Sequence, residues 1–154
     1  MKNIIIIIAA LFVTLGITAQ TNTEEIDLIQ SIYGIEKKAI VKEFVHPKTN
    51  NATAFWDIYE TYEVERKIIG KERIKLLDQF ATQFEKMTNE ESSIWMKKVF
   101  AMDNNQDKLL ERYYKKVSKV TSPLVAMRFY QVENFLLTAM RYEILNEMPF
   151  VEDK

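Results

Sequence analysis

The three prolines of this chain, Pro47, Pro123 and Pro149, all fall where a helical pattern stops. Proline inside an α-helix removes a backbone hydrogen bond and clashes with the preceding turn, so the stretches between these prolines can form long helices. A further boundary is Thr88-Asn89-Glu90-Glu91, where Thr88 and Glu91 have the spacing of a capping box. This punctuation predicts four helices, over residues 23–45, 51–87, 89–120 and 123–146. No segment alternates with period 2, and no Asn-Gly or Asp-Gly hairpin signal occurs. The expected class is all-α.

Each segment carries an apolar stripe at helical spacing. The first has Ile26, Ile29, Tyr33, Ile40 and Phe44. The second has Phe55, Tyr59, Tyr62, Ile69, Leu76, Leu77, Phe80, Phe84 and Met87. The third has Trp95, Val99, Met102, Leu109, Tyr113, Val117 and Val120. The fourth has Val125, Phe129, Val132, Phe135, Leu136, Ala139 and Met140. None is apolar all round, so these are amphipathic surface helices rather than membrane spans. The second would be about 55 Å long if continuous, with Gly70 midway as the place for a bend. The short turn at Thr88 makes helices two and three a long antiparallel hairpin in an elongated body with limited core.

The first twenty residues read differently. Lys2 precedes an unbroken apolar run over residues 4–13, which Leu15, Gly16 and Ile17 extend, and Ala19 suits the −1 position of a cleavage site. This is the layout of a secretory signal peptide. Thr14, Gly16 and Thr18 interrupt the run, which falls short of the ~20 residues needed to cross a bilayer. A lipoprotein is excluded, since there is no Cys to lipidate. The expected organisation is a signal peptide over 1–19 and one helical domain over 20–154. Its location is periplasmic or secreted, with no membrane insertion of the mature chain.

Composition closes off several chemistries. With 154 residues the chain fits one domain. Three Gly and three Pro are too few for a collagen-like or loop-rich β chain, and 47% hydrophobic residues too many for a disordered one. The absence of Cys removes disulfides, thiolate metal sites and cysteine nucleophiles. A net charge of −1 offers no bulk attraction for nucleic acid or an anionic membrane.

Motifs of catalysis are decoys here. Asp103-Asn104-Asn105-Gln106-Asp107 begins like a calcium loop, but Lys108 stands where the turn needs Gly and Tyr114 where the site needs Glu. His46 is the sole histidine; before Pro47 at a helix end, it favours the helix dipole. Glu60 with Glu63, and Glu24 with Asp27, are one-turn pairs common on solvated helices. There is no G-x-S-x-G, H-E-x-x-H or phosphate-binding glycine loop. The expectation is a protein that is not an enzyme and holds no metal or cofactor.

Arg66 and Arg73 project within the stripe of helix two, two turns apart on one face, and Gln106 interrupts the stripe of helix three. Folding the hairpin at Thr88 brings position 73 near 103 and position 70 near 106. A polar layer of Arg66, Arg73, Asp103 and Gln106 is therefore expected at mid-hairpin. It can be a structural ion pair with snorkelled arginine stems. It can also be an exposed groove where apolar and cationic surface adjoin, suited to an extended partner. Arg66 and Arg73, with Arg128, are the candidate client-binding residues. Arg112, Lys115, Lys116 and Lys119 form either a solvated helix face or a basic patch that attracts acidic clients.

The second half of the chain echoes the first. Ala52-Thr53-Ala54-Phe55-Trp56-Asp57-Ile58-Tyr59 aligns with Ala126-Met127-Arg128-Phe129-Tyr130-Gln131-Val132-Glu133, each at a helix start soon after a Pro. The chain resembles the Spy/CpxP-like periplasmic helical proteins known for paired LTxxQ repeats, and more nearly a branch in which those repeats are degraded. The residues that carry the resemblance are Phe55-Trp56-Asp57-Ile58-Tyr59-Glu60-Thr61-Tyr62-Glu63, then Arg128-Phe129-Tyr130-Gln131-Val132-Glu133-Asn134, then Met148-Pro149-Phe150. The resemblance implies that Phe55, Trp56, Tyr59, Tyr62, Phe129, Tyr130, Gln131 and Glu133 are packing residues. It also implies a non-enzymatic function: ATP-independent binding of unfolded or misassembled envelope proteins, or envelope-stress sensing, by a homodimer. A structural or regulatory adaptor that docks one envelope partner, or itself, is the alternative. One His and no Cys disfavour metal-responsive sensing.

Cleavage after Ala19 is expected to yield a soluble chain that begins at Gln20. Intact-mass measurement checks it; a mass that retains residues 1–19 in a membrane fraction would instead mean an anchor.

Overall fold

The computed structural model describes residues 23–151, with side chains from Tyr33 onward. The expected signal peptide lies outside the described residues, as do the side chains of Ile26 and Ile29. Four helices follow one another: α1 over Thr23–Val45, α2 over Ala52–Gln83, α3 over Asn89–Val120 and α4 over Pro123–Glu147. No strand occurs among the described residues. The chain is all-α, as its periodicity predicts. Single 3₁₀ turns at Thr49–Asn51 and Phe84–Lys86 border α2. The last predicted turn of helix two is thus 3₁₀ rather than α, as helix ends often are. Gly70 lies inside an unbroken α2.

The helix ends have chemical causes. Thr88 Oγ1 accepts from Glu91 N–H at 3.2 Å, and Glu91 Oε2 accepts from Thr88 N–H at 2.8 Å, completing the capping box. Those bonds to the Thr88 backbone and side chain hold the Glu91 carboxyl below the usual range. Ser122 Oγ accepts from Val125 N–H, and Pro123 occupies the first turn of α4, where its missing N–H costs nothing. His46 follows α1 with φ 46°, the left-handed conformation that ends many helices.

Each helix packs on its neighbours in sequence, and α4 closes the ring on α1. The hairpin of α2 and α3 is therefore half of a four-helix bundle. At the end where α2 and α4 begin, Phe55, Tyr59, Tyr62, Tyr113, Val117, Ala126 and Phe129 form a dense aromatic core with Val41 and Val45. The two echoed segments meet there: the Phe55 and Phe129 rings stand edge to face, centroids 6.3 Å apart. Toward the α2–α3 turn the packing thins to Leu76, Phe80 and Trp95, with Trp95 Nε1 donating to Leu76 O.

Among the described residues, two stripe positions, Phe44 on α1 and Phe135 on α4, are exposed against expectation. On α1 the buried row is Tyr33, Lys37, Val41 and Val45, while Ile40 is half-buried and Phe44 exposed. This is a strict i+4 ridge, the row that enters a neighbour's groove when helices pack. On α4, Phe135 is exposed and the buried positions include Glu133.

Gly34 lies inside α1, and a Cβ there would stand 3.5 Å from Glu63 Oε2 and 3.6 Å from Lys67 Cε, ordinary contact distances. Glycine in a helix interior costs about 1 kcal/mol relative to alanine. Gly34→Ala is expected to stabilise the fold by about 1 kcal/mol, read as a higher urea midpoint at unchanged slope; a lower midpoint would show that the site has no room.

Candidate functional site

Two polar layers and one outward groove are the features with chemical potential. The first layer lies between the aromatic core and the middle of the bundle. Lys37 from α1 is 1% exposed and pairs with both Glu63 of α2 and Glu133 of α4, the latter at 2.7 Å. Arg66 Nε donates to Glu63 Oε1 and Oε2 at 3.0 and 3.1 Å. Tyr62 OH donates to Glu133 Oε2 at 2.7 Å. The Lys37 ammonium stands over the Tyr62 ring at 4.8 Å, and the Arg66 guanidinium over Tyr33 at 5.0 Å. Two cations and two carboxylates thus share one interior layer with no net charge.

The two carboxylates differ. Burial raises the Glu63 carboxyl, but Lys37 and Arg66 beside it outweigh burial and leave it lowered. Burial dominates at Glu133 and leaves it raised, only partly offset by Lys37. Among the described residues, Glu133 Oε1 and the Tyr59 hydroxyl are buried without a hydrogen-bond partner. Glu63 therefore contributes stability above the ordinary carboxylate range and loses it as pH falls through its lowered value. The contribution of Glu133 is present below that range and lost as pH rises through its raised value. Burial also pushes the hydroxyls of Tyr33, Tyr59 and Tyr62 up, so all three stay protonated donors.

The second layer is two turns further along α2, about 10 Å away. Arg73 pairs with Asp103 across the hairpin, as its register predicts, and Arg141 of α4 joins the same oxygen at 2.9 Å. Gln106 is buried nearby in sequence. Arg66, however, is not in this layer. It is taken by Glu63 one turn back on its own helix, so the expected four-residue layer divides in two. Neither arginine lines an exposed groove: Arg66 is buried and Arg73 largely so. Arg128 is half-buried near the start of α4, 13 residues or about 20 Å of helix from Arg141. The three candidate client-binding arginines are thus dispersed.

Of the motif residues, Phe55, Tyr59, Tyr62, Phe129 and Glu133 are buried and Trp56 is partly buried against them, but Tyr130 and Gln131 face outward.

Apolar and cationic surface do adjoin elsewhere. A shallow groove of about 420 Å³ runs between α2 and α3, lined by Glu65, Ile68, Ile69, Asn105, Lys108, Leu109 and Arg112. Ile68 is 60% exposed and Val64, one turn away, 63%. Beside them α3 presents Lys108, Arg112, Lys115 and Lys119 on one exposed face. Glu65 is fixed at the groove wall: it accepts from Tyr113 OH at 2.6 Å and pairs with Arg112. The Tyr113 bond, with Arg112, keeps the Glu65 carboxyl low, while burial and Glu65 push the Tyr113 hydroxyl up to about 12.

Lys37 escaped the sequence reading because a lone lysine amid helical charges reads as solvated. Its signal is the i+4 row Tyr33, Lys37, Val41 and Val45, in which it takes an apolar place. Among the described residues no group of three or more His, Cys, Asp or Glu is arranged to hold a metal, and no helix is long and apolar enough to cross a membrane. In comparisons with known proteins, no family model, curated protein or solved structure matches this chain.

Removing one member of a buried ion network costs about 3–5 kcal/mol, because its partner charge is left uncompensated. Lys37→Met is expected to destabilise by that amount. Adding Glu133→Gln restores neutrality and keeps an acceptor for Tyr62, so the double variant should recover about 2 kcal/mol of the summed single losses. Urea unfolding of the four proteins measures it; strict additivity would show that the two residues are not coupled.

Proposed function

We propose that this protein is an exported, non-enzymatic binder that holds unfolded or misassembled protein segments without a nucleotide cycle, and that the α2–α3 groove receives them. The observation that carries this reading is the groove that exposed Ile68 lines together with Lys108 and Arg112, with exposed Val64 one turn along α2 and Lys115 and Lys119 further along the same face of α3. An extended chain offers both apolar side chains and carboxylates. The first lose water against Ile68 and Val64, at about 25 cal/mol per Å² covered. The second are attracted by α3 despite the slight negative charge of the whole chain. A shallow open groove selects by chemistry rather than shape, which suits many clients held weakly.

Two further considerations support the reading. The two buried carboxylates, Glu63 and Glu133, are sealed inside the bundle and committed to Lys37, Arg66 and Tyr62 rather than turned to a cavity. The motifs around Phe55 and Phe129 resemble those of Spy/CpxP-like periplasmic proteins, which implies work on envelope proteins. That resemblance also favours a periplasmic or secreted location.

Suppression of aggregation of a chemically denatured client on dilution is the test. Ile68→Ser and Lys108→Glu should each weaken suppression several-fold. Melting should barely change, since exposed substitutions shift stability by only about 0.5 kcal/mol. Arg73→Met should leave suppression unaltered, because that side chain is held by Asp103 inside the hairpin. Suppression untouched by both groove variants, or absent from the wild type, would overturn the assignment.

A further inference from the structure

The outward face of α4 is unlike any other among the described residues. Every exposed position between 124 and 146 is uncharged, whereas exposed positions of α3 carry Lys, Arg, Asp and Glu along its length. Leu124, Met127, Phe135, Tyr142 and Leu145 are each between 50% and 67% exposed. With Gln131 and Thr138 they form a straight stripe on one side of the helix. The stripe is also palindromic. About a point between Asn134 and Phe135, Leu124 mirrors Leu145, Met127 mirrors Tyr142, and Gln131 mirrors Thr138.

We propose that this stripe is covered by the same stripe of a second copy of the chain, the two α4 helices running antiparallel about a twofold axis beside Phe135. In that register apolar meets apolar at the Leu124–Leu145 and Met127–Tyr142 levels and polar meets polar at Gln131–Thr138, while at the axis the two Phe135 side chains lie side by side, each next to the other copy's Asn134. Antiparallel helices also align their dipoles favourably. Arg128 and Glu143 lie on the same flank of the stripe, so reversal of one helix brings each Arg128 to within two residues, about 3 Å along the axis, of the level of the other copy's Glu143. At ~200 Å² per large side chain, the five apolar residues offer roughly 600 Å² per copy. Gln131, Asn134 and Thr138 bring this near the roughly 800 Å² per partner of a stable interface. The absence of charge with Met and aromatic content is the composition of an interface core. An anionic lipid surface would call for exposed Lys or Arg along the face, which is missing. An unfolded client would have no use for the mirror order. This surface is separate from the α2–α3 groove, and the inference does not rest on client binding.

Sedimentation equilibrium of the purified protein at micromolar concentration should show a dimer. Phe135→Lys and Phe135→Glu each set like charges against one another at the axis and should weaken association at least ~100-fold, with helical circular dichroism unchanged. Mixing the two variants should restore a heterodimer. Met127→Glu mixed with Tyr142→Lys tests the same axis two levels out, should Phe135 variants lose helicity. Ile68→Ser should remain dimeric, which separates a failure here from a failure of the groove. A monomeric wild type, a wild type that floats with phosphatidylcholine vesicles as a monomer, dimerisation untouched by both charged variants, or mixtures that stay monomeric would each overturn the proposal.

Discussion

The bundle depends on one lysine. Lys37 reaches from α1 into a layer where Glu63 of α2 and Glu133 of α4 have no comparable cation between them, and its removal would leave two buried carboxylates facing Arg66 alone. Charged groups in an interior gain little net stability over apolar ones, but they are intolerant of displacement. Sliding α1 by one turn would carry the ammonium about 5.4 Å from its partners. Apolar contacts along Val41 and Val45 could re-form after such a slip; the ion contacts could not. The layer thus holds three helices in one register, and the aromatic core packs in the arrangement that this register allows.

Much of the architecture was legible in the sequence. Proline placement and the capping box at Thr88 and Glu91 mark the helix ends because both act locally, through bonds that the chain makes with itself. The Arg73–Asp103 pair followed from hairpin register alone. The layer that holds Arg66 was not legible, because Lys37 and Glu133, which share it with Glu63, come from helices outside the hairpin and only the closed ring brings them together. Phe135, Tyr130 and Phe44 were misplaced for a related reason. A helical wheel treats burial as a straight stripe, whereas packed helices follow inclined ridges, and positions at the stripe edge go to solvent.

The two outward surfaces divide the exterior by chemistry. On α2 and α3, apolar side chains are set among cations, and Glu65 is held in place by Tyr113 and Arg112 at the groove wall. On α4, charge is excluded along the exposed face. α2 and α4 occupy diagonal corners of the ring, since each packs on α1 and α3 rather than chiefly on the other. Covering one face leaves the other open, so self-association and client capture need not compete for surface.

The thinning of the core toward the α2–α3 turn has a consequence for motion. Beyond the Arg73–Asp103 pair the helices are joined by little more than Leu76, Phe80 and Trp95, while the opposite end is knit by a dozen tightly packed side chains. Local opening free energies follow such differences in packing. The molecule therefore has a fixed base and a yielding tip, and a protease or a deuterium label entering from solvent would find the turn around Thr88 long before it found Phe55.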